Sequence, residues 1–195
     1  ISYNVAVGIN AGAAVTTGVQ NTLIGGLAGD AITDADYNVS VGYGSLTTNV
    51  LGSKSVAIGV GSLATQNPAT AVDMYNTAVG LNAGNAVTTG VQNTLVGGLT
   101  GDALTTGAVN VAVGYSALGA DTKGDYSVAL GYNTLAAQNF TTATNTYNTA
   151  IGSFAGLSVT TGIQNTLIGG LAGDALTTGA YNIALGVGAL TNDDV

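Results

Sequence analysis

The chain has 195 residues, among them 31 Gly, 10 acids (all Asp) and 2 bases (both Lys), for a formal net charge of −8. His, Cys and Trp are absent, so there is no imidazole for acid–base work, no thiolate nucleophile and no Cys/His set for zinc. An acidic chain with two lysines cannot neutralise a run of phosphates, and its apolar runs are far shorter than the ~18 residues of a membrane helix, so nucleic-acid binding and membrane insertion are not expected.

Only 6 % of residues are charged while 46 % are hydrophobic, which is opposite to the balance of a disordered chain. Read from the N-terminus, a short phrase recurs: an aromatic or polar residue, Asn, three residues and Gly. It appears as YNVAVG ending at Gly8, QNTLIG at Gly25, YNVSVG at Gly42 and KSVAIG at Gly59, then again at Gly80, Gly97, Gly114, Gly131, Gly152, Gly169 and Gly186. The spacing is 17, 17, 17 and 21 residues, twice over, then 17 and 17, so four units form a 72-residue super-repeat. Residues 19–31, 91–103 and 163–175 (VQNTLIGGLAGDA, VQNTLVGGLTGDA, IQNTLIGGLAGDA) confirm the register. Self-similarity of this kind marks a solenoid, in which each unit buries its apolar face against its neighbours. Residues 1–195 therefore read as one all-β domain, a parallel β-solenoid of eleven rungs, with no linker. Starting at Ile1 without Met, the chain reads as a segment of a longer fibre.

Each rung is predicted to carry a strand just before its motif Gly, as at Val5–Ala6–Val7, Thr22–Leu23–Ile24 and Thr77–Ala78–Val79. Frequent Gly and β-branched residues exclude helix. The third residue of the triplet is Val, Ile or Leu in all eleven rungs, which predicts it as the principal core column. The motif Gly then permits a sharp bend. On the return leg, rungs with Gly four places after the motif Gly (Gly12, Gly29, Gly84, Gly101) carry an aliphatic three residues later (Val15, Ile32, Val87, Leu104). Rungs with Leu there (Leu46, Leu63, Leu118, Leu135) carry Asn49, Gln66, Asp121 or Gln138 instead. Each rung is thus expected to supply one apolar plug by either of two routes, as close packing requires. Four places before the motif Gly stand Asn4, Asn21, Asn38, Asn76, Asn93, Asn110, Asn148, Asn165 and Asn182, interrupted by Ser55 and Ser127. Stacked rungs place these amides ~4.8 Å apart, within reach of a hydrogen-bonded structural ladder.

The phrase N-[TSV]-A-[VI]-G, as in Asn76–Gly80, resembles the head repeats of trimeric autotransporter adhesins and, more closely, the repeats of bacteriophage tail fibres. Those repeats are joined by Thr-Thr-Gly spacers like Thr16–Gly18, Thr88–Gly90 and Thr160–Gly162. The resemblance spans the whole chain. It implies a parallel β-roll or β-helix, three chains side by side as a homotrimer, and a role in attachment outside the cell or on a virion. The rung of 17 residues is longer than the adhesin repeat.

No catalytic residue, metal ligand or cofactor is assigned. Asp30, Asp102 and Asp174 recur four rungs apart, roughly 19 Å, too far to share a cation. The four-residue enlargements of every fourth rung are candidate contact loops, with Gln66, Asn67 and Pro68 matched by Gln138, Asn139 and Phe140. Tyr43, Tyr115 and Tyr132, each directly after a motif Gly, form a candidate aromatic strip for carbohydrate. The expected function is a structural, adhesive fibre segment that spaces or presents a receptor-binding surface, its partners being copies of itself and a cell-surface glycan or protein. A self-assembling extracellular filament and a Thr-rich ice-binding solenoid are the alternatives.

Overall fold

The computed structural model describes residues 2–192. Eleven three-residue strands, from Val5–Val7 to Ile183–Leu185, pair in chain order into one parallel sheet. Register follows the sequence period: Leu23 lies opposite Ala6 and Ser40, and across the enlarged rung Ala57 lies opposite Ala78. The chain is thus a parallel β-solenoid, about 50 Å long at ~4.8 Å per step, with no helix among the described residues. The two enlargements add short ladders of their own, Gly52–Ser53 with Val72–Asp73 and Gly124–Asp125 with Thr144–Asn145.

Three positions of each rung adopt the left-handed backbone conformation: five before the motif Gly, two after it and four after it. Many of these residues are not Gly; Tyr37, Gln92 and Leu118 have φ of 60°, 59° and 55°. Each such corner costs about 1 kcal/mol or more and persists because the turn above and below fixes it. Gln92 N–H donates to Met74 O at 2.8 Å, Leu99 N–H to Leu81 O at 2.9 Å and Gly101 N–H to Ala117 O at 3.0 Å. The motif Gly has a different task. At Gly97, φ is +138°, and a Cβ there would lie 2.5 Å from Gly114 O in the next rung. Backbone therefore stacks directly on backbone along this column.

The strand triplets are turned the other way from the sequence expectation. In every triplet after the first the middle residue is buried, and the first and third face outward: Leu23 is 0 % exposed, Ile24 38 %. The invariant aliphatic column is an outer surface, not the core. The reason is the narrow bore of the coil. Opposite the strand, the interior is filled by Leu46, Leu63, Leu118 and Leu135 in some rungs and by Ile32, Val87, Leu104 and Leu176 in others. That leaves room beneath most strands for only Ala or Ser, as at Ala57, Ala112 and Ser40. The two-route plug is seen as expected. Where the strand centre is Leu95, Gly101 makes the space, since a Cβ there would meet Leu95 Cδ2 at 2.9 Å and Leu104 Cδ1 at 3.0 Å.

Candidate functional site

The Asn column chiefly caps backbone, and it links amide to amide at two places, Asn93 Nδ2 to Asn76 Oδ1 at 3.3 Å and Asn182 Nδ2 to Asn165 Oδ1 at 3.1 Å. Asn93 shows the pattern: its Nδ2 donates to Gly107 O at 2.9 Å, and its Oδ1 accepts from the N–H of Asn110 at 3.0 Å. Asn21 and Asn165 do the same with their neighbours. Each amide before Asn182 thus satisfies one donor and one acceptor of the next turn, groups that cost about 1–3 kcal/mol each when left bare in the interior. Where Ser55 and Ser127 interrupt the column, Gln66 and Gln138 take over. Gln66 Oε1 accepts from Asn76 Nδ2 at 3.0 Å, and Gln138 Oε1 from Asn148 Nδ2 at 2.8 Å. Buried Asp121 accepts from Gly124 N–H, Phe140 N–H and Gln138 Nε2. No buried side-chain N or O among the described residues lacks a partner.

The enlarged rungs therefore face inward more than their sequence implies. Gln66, Gln138, Pro68 and Phe140 are buried, and of the six candidate contact residues only Asn67 and Asn139 are exposed. A side chain enclosed by its own chain cannot touch a receptor. The accessible tips are residues 69–73 and 141–143. The first is braced by Lys54, whose Nζ lies 2.6 Å from Asp73 Oδ2 and over the Tyr75 ring. The hydrogen bond from Lys54 holds the Asp73 carboxyl below its usual range, and the hydrogen bonds that Lys54 donates to Asp73 and Tyr75 hold its ammonium above its own.

The tyrosine strip divides. Tyr115 and Tyr132 stack with centroids 5.8 Å apart, and Phe154 closes edge-on to Tyr132 at 5.2 Å. Tyr43 stands four rungs away, its ring beside Gly26, where a Cβ would come within 3.2 Å. Stacked along the coil axis, Tyr115 and Tyr132 cover each other's faces and offer edges to solvent, which is poor geometry for stacking on a sugar ring. The first Thr hydroxyl of these spacers is committed: Thr88 and Thr105 each donate to the carbonyl one rung on, at 3.0 Å, whereas the second Thr, as at Thr89 and Thr106, is exposed.

The largest surface is the outer face of the sheet. Its two columns are Val or Thr, with Ile183 in the last rung, and then Val, Ile or Leu. Beside it, immediately after each motif Gly, every rung carries a single bulky apolar residue at one of two positions, for example Leu81, Leu99, Tyr115 and Phe154. Val60, Leu81 and Tyr115 are at least half exposed. No charged residue lies within four positions of a motif Gly on either side in any rung, so Asp and Lys are confined to the other half of the turn. This face is apolar, uncharged and periodic along the whole described stack.

Asp102 differs from its counterparts. Asp30 accepts from Thr47 Oγ1 at 2.6 Å, and Asp174 accepts from Thr191. In the same place after Asp102 stands Gly119, and burial pushes the Asp102 carboxyl above its usual range. A raised folded-state pKa means that the native chain takes up the proton more readily than the unfolded chain. Asp102 accordingly favours folding as pH falls through the carboxylate range and opposes it at neutral pH. Gly119→Thr should supply the missing donor and raise stability at pH 7 by about 1 kcal/mol. Because that bond favours the charged form, the gain should vanish as pH falls through the carboxylate range, which thermal melts at pH 7 and pH 3 would check. An unchanged melting temperature at pH 7 would remove this account of Asp102.

Comparison of the chain with protein-family profiles, with curated proteins and with solved structures returns no match. Among the described residues no group of acids is placed to hold a metal ion, and no helix is long and apolar enough to cross a membrane.

Proposed function

We propose that the chain is a rigid segment of an adhesive fibre, of tail-fibre or surface-adhesin type, that works as a parallel homotrimer outside the cell or on a virion. The observation that carries this reading is the uncharged face of Val, Ile, Leu and Thr running along all eleven strands. Soluble monomers rarely leave a continuous apolar surface beyond a few hundred Å2 in water. Eleven rungs of about 4.8 Å by five residue steps of about 3.3 Å give a face of about 870 Å2, comparable to the ~800 Å2 that a standard partner buries. Depletion of charge is the compositional mark of an interface centre. A chain of net charge −8 can approach its copies only through this half. The outward tips at residues 69–73 and 141–143 are then held four rungs apart, about 19 Å, as contact points for a glycan or protein receptor.

Sedimentation equilibrium of the purified chain should give the mass of three chains. Val111→Lys with Val113→Lys places two cations on the outward face of one strand, where a free chain leaves them solvated. This variant should keep its β-sheet circular dichroism while falling to the mass of one chain. A wild-type chain of single mass would overturn the trimer and turn attention to thermal hysteresis as a test of ice binding. Open-ended polymers would favour the filament.

A further inference from the structure

We propose that neighbouring copies meet edge against edge: the column five places before the motif Gly in one chain packs on the corner just after the motif Gly in the next, rung facing rung. This rests on the parallel trimer proposed above and adds which surfaces join. These two columns flank the outward face of the sheet, and between them they hold all 9 tyrosines, six on the first edge and three on the second. Tyr37, Tyr75 and Tyr147 are each more than half exposed, although each sits in a left-handed corner that disfavours a bulky residue. Aromatic side chains held in strained, solvent-facing positions at the rim of an uncharged surface are suited to a protein partner.

The pattern is matched height by height. The three rungs with Gln on the first edge (Gln20, Gln92, Gln164) are the three with Gly on the second (Gly26, Gly98, Gly170). The two edges stand six residues apart, about 20 Å of extended chain, so within one rung they do not meet. A second copy at the same height brings them together. Three flat faces turned towards a common axis make a head-to-tail ring, in which each chain's first edge adjoins its neighbour's second edge. Apart from Lys54 on the first edge, the charged halves of the rungs then point outward, away from one another.

The chain has no Cys, which makes the test direct. Gln92→Cys and Gly98→Cys mark the two edges of the central rung without removing a large apolar group; a Cβ on Gly98 meets nothing nearer than Tyr115 Cδ2 at 3.5 Å. With a bis-maleimide spanning about two rungs, ~10 Å, the double variant should run as covalent trimers on a denaturing gel, and each single variant as free chains. Dimers from either single variant would mean that like edges meet in antiparallel copies, and would overturn the edge pairing. A three-chain mass in sedimentation without cross-linking would overturn the pairing but leave the trimer standing. A single-chain mass would remove both. The same experiment on Gln164 and Gly170, one super-repeat along, guards against a local folding defect at the first pair.

Discussion

Gly97→Ala is expected to break the solenoid at the joint between its sixth and seventh rungs. The added methyl would sit 2.5 Å from Gly114 O and 2.7 Å from Thr100 Oγ1, at a φ of +138° that side chains seldom adopt. The carbonyl cannot yield, because it belongs to the backbone of the next turn and accepts the Thr100 hydroxyl. We expect a loss above about 4 kcal/mol, the range reserved for strain and clash in a closed structure. Since each rung touches only its neighbours, the damage should be local. Hydrogen exchange should speed up at Thr94–Val96 and Val111–Val113 while strands at the far ends keep their protection. Gly98→Ala is the control: it lacks a positive φ and its Cβ would be in ordinary contact with Tyr115, so it should change stability by under about 1 kcal/mol. Equal melting temperatures for the two variants would refute direct backbone stacking along the motif column.

The second large effect concerns the plug. Leu95→Ala empties a fully buried site and should cost about 2–5 kcal/mol. Gly101→Leu alone should cost at least about 3 kcal/mol, because its Cβ already meets Leu95 and Leu104 within 3.0 Å. Combined, the two changes move a Leu from the strand to the corner, as with Ala112 and Leu118 in the next rung, while Leu104 stays where that rung has Asp121. The double variant should therefore be more stable than the sum of the single losses predicts, by about 2 kcal/mol or more, as expected of residues sharing one space. Additive losses in a denaturant-based double-mutant cycle would show that the two positions do not compete for the same volume.

Much of this was readable before any coordinates. The 17-residue period gave the strand positions and their order, because in a solenoid each rung pairs with the one before it. The exchange of Gly101 and Leu104 for Leu118 and Asp121 gave the plug, since volume must be conserved along a close-packed bore. Which face of the strands points inward was not readable. Alternation says that Thr22 and Ile24 share a face and Leu23 takes the other; it does not say which face is inside. Bulk and constancy pointed to Ile24, and they misled, because the constant aliphatic column is the outer surface.

The candidate sites show the same division. Periodicity located the Asn column, but a period along the sequence cannot reveal that Asn93 reaches the carbonyl of Gly107, 14 residues on. Nor could it reveal that Gln66 and Gln138 fold inward to bridge the two interruptions. In the sequence those residues resemble loop polar groups, and only the path of the enlarged rung makes them core. The absence of charge around every motif Gly was written in the sequence too. It became meaningful once the structure turned those positions into one continuous face.

The sequence by itself determined the repeat, the parallel stacking, the register and the volume balance of the core, because each follows from a one-dimensional pattern with nearest-neighbour contacts. Tertiary structure alone decided which side of the strand is inside and where the amides end. Those depend on the width of the coil and the left-handed corners that close it, and both are set by how a whole turn returns upon itself.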